Sequence, residues 1–451
     1  MVLGICLMLP VMTAVTEASL ITPYSGMKPD KESTAADKPA MTVAANSSNS
    51  SKENSKAGVA ETEPASYVIR VGLNTGVARA DASMTTAYRI INPANCKVVA
   101  ELEANELAQI SADLSGLAVN GASAGCDEVR LVPARKNDGL VSFNNTKYHG
   151  TLVFRRSGSY INVINEVDLD DYLKGVVPSE MNQAWPAEAL KAQSVAARTF
   201  ALYSRNQHIS DGYDVCNTIH CQYYEGLKGE ADTATAAVLE TKGYVMTKDT
   251  RPICAAFHSS SGGMTENSEN VWGRYQPYLR SVADDDSESP YHDWRVTASA
   301  TEIEKMLVSA GYRIGTLKSI NMDPGKKGRS ESGRVVEVLF KGTDGTAIVD
   351  GVKLRSIFGL KSTMFSIRVQ RSAVNSKESL ANSRNGKSMP TAASSLQLTG
   401  AEGELVILEG HGFGHGLGMA QYGAKAMADK GAKWQDILNH YYTDIVISKY
   451  Y

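Results

Sequence analysis

Short runs of apolar residues alternate with polar ones along most of the chain, a pattern that predicts strands joined by a few helices. Residues 67–71 predict the first strand, and residues 152–154 and 160–167 predict a hairpin about a Ser-Gly-Ser turn. Residues 186–203 show an apolar stripe at helical spacing, and Pro186 suits the first turn of that helix. Short strands interspersed with helices predict an α+β fold: a mixed catalytic domain with a β-rich accessory lobe.

Changes in composition divide the chain into four parts. Residues 1–20 hold an apolar run that predicts an export signal or a membrane anchor, with a buried N-terminal strand as the alternative. Residues 21–66 contain almost no large apolar side chains and predict a disordered linker. Residues 67–150 predict the accessory lobe, and residues 151–451 hold the candidate chemistry, with a polar insert at 370–404 that predicts a surface loop.

Charge and cysteine content narrow the class of protein. The chain has 451 residues, with 46 Lys and Arg against 49 Asp and Glu, so its net charge is close to zero. It has no basic stripe interleaved with aromatic residues, so nucleic acid is not an expected partner. Two isolated cysteines, Cys96 and Cys126, could pair if the protein is exported to an oxidising compartment.

Glu180 is the first candidate for chemistry. It follows Pro178 in a predicted apolar turn, between Val177 and Met181. Because a low dielectric disfavours the charged carboxylate, Glu180 is expected to keep its proton near neutral pH, as general-acid cleavage of a glycosidic bond requires. The alternative is an ordinary capping or ion-paired glutamate at a helix start.

Two glycine-rich segments hold candidate binding residues. His258 and Ser260 follow an apolar strand without the glycine pattern of a nucleophile elbow, so we favour hydrogen bonds to substrate over a Ser-His nucleophile. In residues 410–418 glycine alternates with other residues, among them His411 and His415. An extended chain would place the glycines on one face and the histidines on the other. That arrangement predicts hydrogen bonding inside a cleft, with metal ligation as the alternative.

Cys216 and Cys221 lie close in sequence to His208 and His220. Thiolate and imidazole suit Zn²⁺, so we expect a structural zinc bound by Cys216, Cys221 and one histidine. His208 is favoured, since adjacent His220 and Cys221 side chains tend to point apart, and His220 is the alternative ligand. A disulfide, or two free thiols in the core, is the competing interpretation.

Several of these motifs occur in a fixed order along residues 67–451. They are Tyr172–Met181, Trp185-Pro186, Ala189–Gln193, Ala196–Thr199, His258–Gly263 with Thr265, Val271–Gly273, Arg355, Gly359–Thr363 and Gly412–Gly423. In combination they resemble the SpoIID/LytB family of endospore-forming bacteria. The apolar start and polar linker also resemble the membrane-tethered layout of that family, from which the polar insert is a departure.

The resemblance implies a lytic transglycosylase that acts on peptidoglycan glycan strands, preferably those without stem peptides. Glu180 then corresponds to the catalytic acid and base, Arg198 to an arginine that orders the site or contacts the glycan, and His258 to a cleft histidine. Clostridial members bind zinc through one histidine and two cysteines. The remaining residues expected to bind substrate or order the site are Ser260, His411, His415 and Tyr422. The engulfment role of the family implies a place at the mother-cell membrane around the forespore, outside the cytoplasm.

Two other functions remain open at this stage. Asp170 and Asp171 lie near Glu180 in sequence, so a simple glycoside hydrolase with two carboxylates is one alternative. The other is a wall-binding module that recruits or activates an amidase, with Glu180 as a structural residue. For Arg198, a buried ion pair is the structural alternative to a role in the site.

Overall fold

The computed structural model describes residues 67–135, 139–325, 328–371, 395–401 and 403–451. The predictions for residues 1–20 and 21–66, and for most of the 370–404 insert, concern residues outside these ranges. Within the described ranges, no helix combines the length and the apolar character needed to cross a bilayer.

The described residues form strands and helices throughout their length. The strands are β1 (Val68–Val77), β2 (Arg79–Met84), β3 (Tyr88–Asn92), β4 (Lys97–Leu102), β5 (Ala108–Asp113), β6 (Gly116–Val119), β7 (Ala122–Ser123), β8 (Glu128–Pro133), β9 (Val141–Phe143), β10 (Thr146–Tyr148), β11 (Thr151–Ser157), β12 (Tyr160–Asp168), β13 (Val215–Cys216), β14 (Tyr244–Lys248), β15 (Arg251–Pro252), β16 (Phe257–His258), β17 (Asp293–Ser299), β18 (Leu317–Asn321), β19 (Glu337–Gly342), β20 (Thr346–Asp350), β21 (Phe365–Gln370), β22 (Leu396–Gln397), β23 (Leu405–His411), β24 (Met419–Ala420) and β25 (Val446–Lys449). The helices are α1 (Leu169–Glu180), α2 (Ala187–Tyr203), α3 (Asp232–Glu240), α4 (Ser268–Trp272), α5 (Ala300–Ser309), α6 (Gly351–Phe358), α7 (Gln421–Asp429) and α8 (Trp434–Tyr441).

Two sheets build the first part of the molecule. One has the strand order β13-β1-β12-β11-β8-β3-β4, and the other has the order β10-β9-β2-β5-β6-β7. The predicted hairpin is the antiparallel pair β11 and β12, with Ser157 opposite Tyr160 at the turn. β12 also pairs with β1, so the segment up to residue 150 and the segment after it share one sheet. Their apolar side chains form a single core that continues into α1 and α2.

The sequence did not predict α1, and the helix corrects the predicted turn at Glu180. Asp168 caps the helix, its side chain accepting a hydrogen bond from the backbone N–H of Asp170 at 2.8 Å. The helix then runs through Pro178 to Glu180, and the backbone N–H of Met181 closes the last turn. Proline removes one backbone donor. Here it does so only in the last turn, and the helix continues for two residues beyond it.

α2 is the central helix of the molecule. It begins at Ala187, one residue after the predicted start, because Pro186 takes an extended backbone conformation before the first turn. Twelve of its residues are buried, many of them alanines that allow neighbouring helices to approach closely. α2 packs against α1, α3, α7 and α8, so the N-terminal and C-terminal helices share one core.

A second, separate core lies between two smaller sheets. The sheet β17-β23-β21 and the sheet β20-β19-β18-β22 pack with α5 and α6 around residues such as Phe340 and Leu408. The described residues therefore have the predicted α+β fold, in which helices and several small sheets pack together.

Candidate active site and metal centre

Glu180 lies at the carboxyl end of α1 and is half-buried. Burial raises the pKa of its carboxyl to about 7, and a hydrogen bond from the backbone N–H of Tyr223 to Oε1, at 3.4 Å, lowers it in part. The last turn of α1 has no basic residue. The negative end of the helix dipole also disfavours an ionised carboxylate. Glu180 is therefore partly protonated at neutral pH.

Aromatic side chains lie near the end of α1. Tyr223 is 40% exposed, and Trp185 packs edge-to-face on Tyr422 with 4.8 Å between ring centroids. A cavity of about 410 Å³ beside the helix end is lined by Ser179 and other residues, but Glu180 is not among them. The carboxyl instead turns toward the backbone of Tyr223.

The thiols and imidazoles near residue 216 form one compact cluster. One ligand atom from each of His208, Cys216, His220 and Cys221 lies within 4.8 Å of the others. Cys221 Sγ is 3.4 Å from His208 Nε2 and 3.4 Å from His220 Nδ1, and Cys216 Sγ is 3.7 Å from His220 Nδ1. His220 therefore points toward Cys221, contrary to the expectation that their side chains diverge.

The donor set of this cluster fits Zn²⁺. Two thiol sulfurs and two imidazole nitrogens form the Cys₂His₂ set found in tetrahedral structural zinc sites. Both cysteines are free rather than joined in a disulfide. A hydrogen bond with Cys221 lowers the pKa of Cys216 to about 4, so a thiolate is available at neutral pH. The three-ligand set predicted from sequence becomes a four-ligand candidate set.

The thiol cluster is joined to Glu180 through a short stretch of chain. Two residues after Cys221, the backbone N–H of Tyr223 reaches Glu180. Between them, the Gln222 side chain donates to the carbonyl of Ala197 on α2 and accepts from the Tyr172 hydroxyl on α1. An ion that fixes the cluster would therefore also fix the hydrogen bond to Glu180.

Arg198 occupies the core rather than a cleft. Its guanidinium is fully buried and donates to Asp170 Oδ1 from Nε at 3.0 Å and from Nη2 at 2.8 Å. It also donates to the carbonyls of Val238 and Tyr244. The side chain thus ties the start of α1 to α2, α3 and β14. This is the buried ion pair that the sequence left as an alternative, and the burial leaves no room for contact with a glycan.

His258 and His415 form a buried imidazole pair. His258 is 5% exposed, its Nδ1–H donates to the carbonyl of Leu417 at 3.1 Å, and its Nε2 is buried without a partner. Burial and the charge of Arg334 hold the pKa of His258 well below its usual value. Burial lowers the pKa of His415 to about 3, and Arg355 adds to the effect. Both rings are neutral at physiological pH, and the low exposure of His258 leaves little of its ring in contact with solvent.

Ser260 is not paired with a histidine. Its hydroxyl donates to Asp286, which also accepts from the backbone N–H of Gly262 at 2.8 Å and contacts His292 Nδ1 at 3.0 Å. The hydroxyl therefore has a carboxylate as its partner, and the Ser-His pair that the sequence left as an alternative is not formed. His411 lies close to this group, beside Gly262, and its Nδ1 is 2.7 Å from Asp293 Oδ1.

The glycine-rich segment is a loop instead of the extended strand that alternation predicted. β23 ends at His411, and several of the glycines that follow have positive φ, among them Gly412 at 75° and Gly418 at 65°. The expectation of close backbone approach is correct, because a Cβ on Gly412 would lie 2.6 Å from the carbonyl oxygen of Ser260. Positive φ, which only glycine adopts freely, breaks the strand.

Sequence reasoning missed the partners of these residues. Asp286 and His292 lie in the stretch before β17 and carried no recognisable motif. Tyr223 was overlooked because its contribution is a backbone N–H, for which residue type gives no signal. The cluster of three aspartates at 284–286 was the available sign that this segment could hold hydrogen-bond acceptors.

Comparison with known proteins places these features in a family. Residues 157–247, which include Glu180 and the whole thiol cluster, match the SpoIID family model, described as stage II sporulation protein. The chain is 31% identical over 307 residues to stage II sporulation protein D of Bacillus subtilis, covering 63% of this chain and 76% of that protein. It is 31% identical over 302 residues to the amidase enhancer of Bacillus subtilis, covering 62% of this chain and 40% of that protein.

A third relative is similar over more of the chain. It is an uncharacterized protein of Brachyspira hyodysenteriae, 28% identical over 385 residues, which cover 85% of this chain and 93% of that protein. The match to the family model, the sequence motifs and the extent of the alignment with the sporulation protein all indicate the same family. This chain belongs to the SpoIID family of stage II sporulation proteins.

Proposed function

We propose that this protein is a lytic transglycosylase that cleaves the MurNAc-GlcNAc bond of peptidoglycan glycan strands, preferably strands without stem peptides. The observation that carries the proposal is a single carboxyl, Glu180, whose pKa burial raises to about 7. Such a group holds a proton to give at neutral pH and remains a competent base after giving it. Aromatic surface at Tyr223, Trp185 and Tyr422 provides flat apolar area on which sugar rings can stack.

The position of the nearby aspartates argues against a two-carboxylate hydrolase. Asp170 is buried in its ion pair with Arg198, and Asp171 Oδ1 is 2.6 Å from Lys174 Nζ. Both aspartates lie in the first turn of α1 and Glu180 at its end. At a rise of about 1.5 Å per residue, each aspartate is roughly 14 Å from Glu180 along the helix axis. Paired carboxylates of glycosidases are about 5 to 9.5 Å apart, so neither aspartate is placed to act with Glu180.

A single acid can complete the transglycosylase reaction. Glu180 gives its proton to the glycosidic oxygen as the bond from C1 of the muramic sugar breaks. The resulting carboxylate then removes the proton from the C6 hydroxyl of the same sugar as that oxygen bonds to C1. The product is a 1,6-anhydro ring, no water is consumed, and Glu180 regains its proton.

The thiol cluster has a supporting role in this proposal. His208, Cys216, His220 and Cys221 would hold Zn²⁺, which supplies a structural tether and no Lewis acid to the reaction. The tethered loop keeps the N–H of Tyr223 against Glu180. That contact favours the carboxylate and prevents burial from raising the pKa further.

We place this activity outside the cytoplasm at the cell wall, in sporulation and engulfment, with membrane-bound engulfment proteins as partners. The family membership supports that setting. Purified protein should be incubated with isolated, peptide-free glycan strands and the products analysed by mass spectrometry. We expect anhydro-muramic ends from the wild type, none from Glu180→Gln, and unchanged products from Glu331→Gln, a control at an exposed glutamate. Reducing muramic ends would instead identify a hydrolase. Glycan strands that remain uncleaved would refute the proposed enzymatic activity.

A second candidate function is stimulation of a cell-wall amidase. It is favoured by the similarity to a protein named amidase enhancer over 302 residues. One variant, Glu180→Gln, can distinguish amidase stimulation from glycan cleavage. If Glu180→Gln still increases peptide release by an added amidase, binding and catalysis are independent properties of this chain.

A further inference from the structure

Two histidines and an aspartate form a second cluster of metal-ligating groups that shares no residue with Glu180 or the thiol cluster. One ligand atom from each of His292, Asp293 and His411 lies within 4.8 Å of the other two. β17 and β23 pair antiparallel with Asp293 directly opposite His411, so their side chains share one face of the sheet. His292 immediately precedes β17, and its ring centroid is 5.9 Å from that of His411.

A buried carboxylate fixes the orientation of His292. Asp286 is 1% exposed, and its Oδ1 is 3.0 Å from His292 Nδ1. The other oxygen of this carboxylate, Oδ2, accepts hydrogen bonds from the Ser260 hydroxyl and from the backbone N–H of Gly262. Both oxygens of Asp286 are therefore engaged, and Oδ1 accepts the Nδ1–H of His292. The lone pair of Nε2 is then left for another partner, which is the arrangement by which carboxylates position metal-binding histidines.

An ion pair alone does not account for this arrangement. Asp293 and His411 contact each other at 2.7 Å, which a surface salt bridge would explain. It would not explain why a second imidazole, oriented by a buried carboxylate, lies against the same two groups. The neighbouring Glu409 is already bound by the guanidinium of Arg368 at 3.1 Å, so it does not compete for His411.

We propose that His292, Asp293 and His411 form a second divalent-metal site, of the class that binds Zn²⁺ through two imidazoles and one carboxylate. Ligand bonds of about 2.0 to 2.2 Å place donor atoms of one ion about 3 to 4 Å apart, so small side-chain movements are enough to close the site. Such movement is available, because the side chains of Asp293 and His411 are 76% and 41% exposed. Asp286 acts through His292 as a positioning residue.

The site would leave coordination positions open. Three protein ligands fill only part of a zinc coordination sphere, as in sites that also bind water or an exogenous ligand. Asp293 and His411 line a cavity of about 520 Å³ together with Trp294, Arg295 and Glu409. A metal bound here would therefore be exchangeable and accessible to small ligands, unlike one enclosed by four protein ligands in the thiol cluster.

Metal stoichiometry of the purified full chain tests the proposal. After saturation with Zn²⁺ and removal of excess metal, we expect two ions per wild-type chain and one per His411→Ala chain. Asp293→Asn should weaken the second site by at least about tenfold while leaving the first intact. His440→Ala removes an imidazole outside both clusters and should retain two ions, as should Glu180→Gln.

Cobalt substitution separates the two sites by their spectra. Co²⁺ in the thiol cluster gives thiolate charge-transfer absorption, whereas Co²⁺ bound by imidazole and carboxylate gives only weak ligand-field bands. The double variant Cys216→Ser/Cys221→Ser should lose the first signal and keep the second. Equal metal content in the wild type and His411→Ala, or the loss of all bound Co²⁺ from the double cysteine variant, would overturn the second site. These measurements do not involve glycan cleavage, so their result is independent of whether the proposed enzymatic activity is correct.

Discussion

The raised pKa of Glu180 predicts that this residue costs the protein stability at alkaline pH. A glutamate ionises near pH 4.5 when exposed, whereas burial raises the pKa of Glu180 to about 7. At about 1.4 kcal/mol per pKa unit, that difference corresponds to about 3 kcal/mol. Because Glu180 is only half-buried, we expect about 2 to 3 kcal/mol in practice.

The sign follows from proton binding. Between pH 4.5 and 7 the folded state keeps the Glu180 proton and the unfolded state loses it, so stability falls as the pH rises through this window. Above pH 7 the full cost is present and no longer changes. The glutamine of Glu180→Gln cannot ionise. The free energy of unfolding of this variant, relative to the wild type, should therefore increase by about 2 kcal/mol between pH 5 and pH 8.

Urea unfolding of both proteins at pH 5 and pH 8, followed by circular dichroism, measures this difference. The other titrating groups, including the thiol cluster, are present in both proteins and cancel. Glu331→Gln, at an exposed glutamate, is the matched control and should follow the wild type at both values of pH. If Glu180→Gln and the wild type changed in parallel, Glu180 would titrate like an exposed residue, and the argument for a protonated acid would fail.

Three further predictions follow from the described contacts. Asp170→Asn should lower the free energy of unfolding by about 3 to 5 kcal/mol, because it leaves Arg198 charged and buried; chemical denaturation measures this, and an effect below 1 kcal/mol would contradict a buried pair. Chelation should lower the melting temperature of the wild type by more than that of Cys216→Ser, which differential scanning calorimetry can compare. Gly412→Ala should cost about 1 to 3 kcal/mol, since it combines positive φ with a Cβ 2.6 Å from a carbonyl oxygen; a neutral result in thermal unfolding would argue against the loop conformation.

Local patterns made part of this structure predictable. The helix predicted at 186–203 is observed at Ala187–Tyr203, because an apolar stripe at helical spacing is a property of neighbouring residues. The hairpin of β11 and β12 was recognisable from its turn for the same reason. Where local rules compete, prediction failed. Pro178 indicated a turn, but a proline in a last turn removes only one hydrogen bond, and packing of α1 in the core retains the helix.

The composition of the candidate sites was less predictable, because long-range pairing creates them. Asp293 and His411 are 118 residues apart in sequence and meet only because β17 and β23 pair in that register. Arg198 and Asp170 are 28 residues apart on different helices. Contacts between residues so far apart in sequence cannot be inferred from their spacing along the chain. The orientation of His220 depended on the conformation of a single loop, which residue order does not determine.

The distribution of charge along α1 distinguishes a catalytic acid from a structural one. A glutamate that served the helix would lie near its N-terminus, where the dipole favours negative charge, or near a cation. α1 does have such acids: Asp170 and Asp171 in its first turn, bound by Arg198 and Lys174. Glu180 lies at the opposite end, where the dipole and burial both oppose its ionisation, and among the described residues its hydrogen bond is a long one from the backbone N–H of Tyr223. Since that hydrogen bond offsets the effect of burial only in part, we infer for Glu180 a role in proton transfer instead of a role in folding.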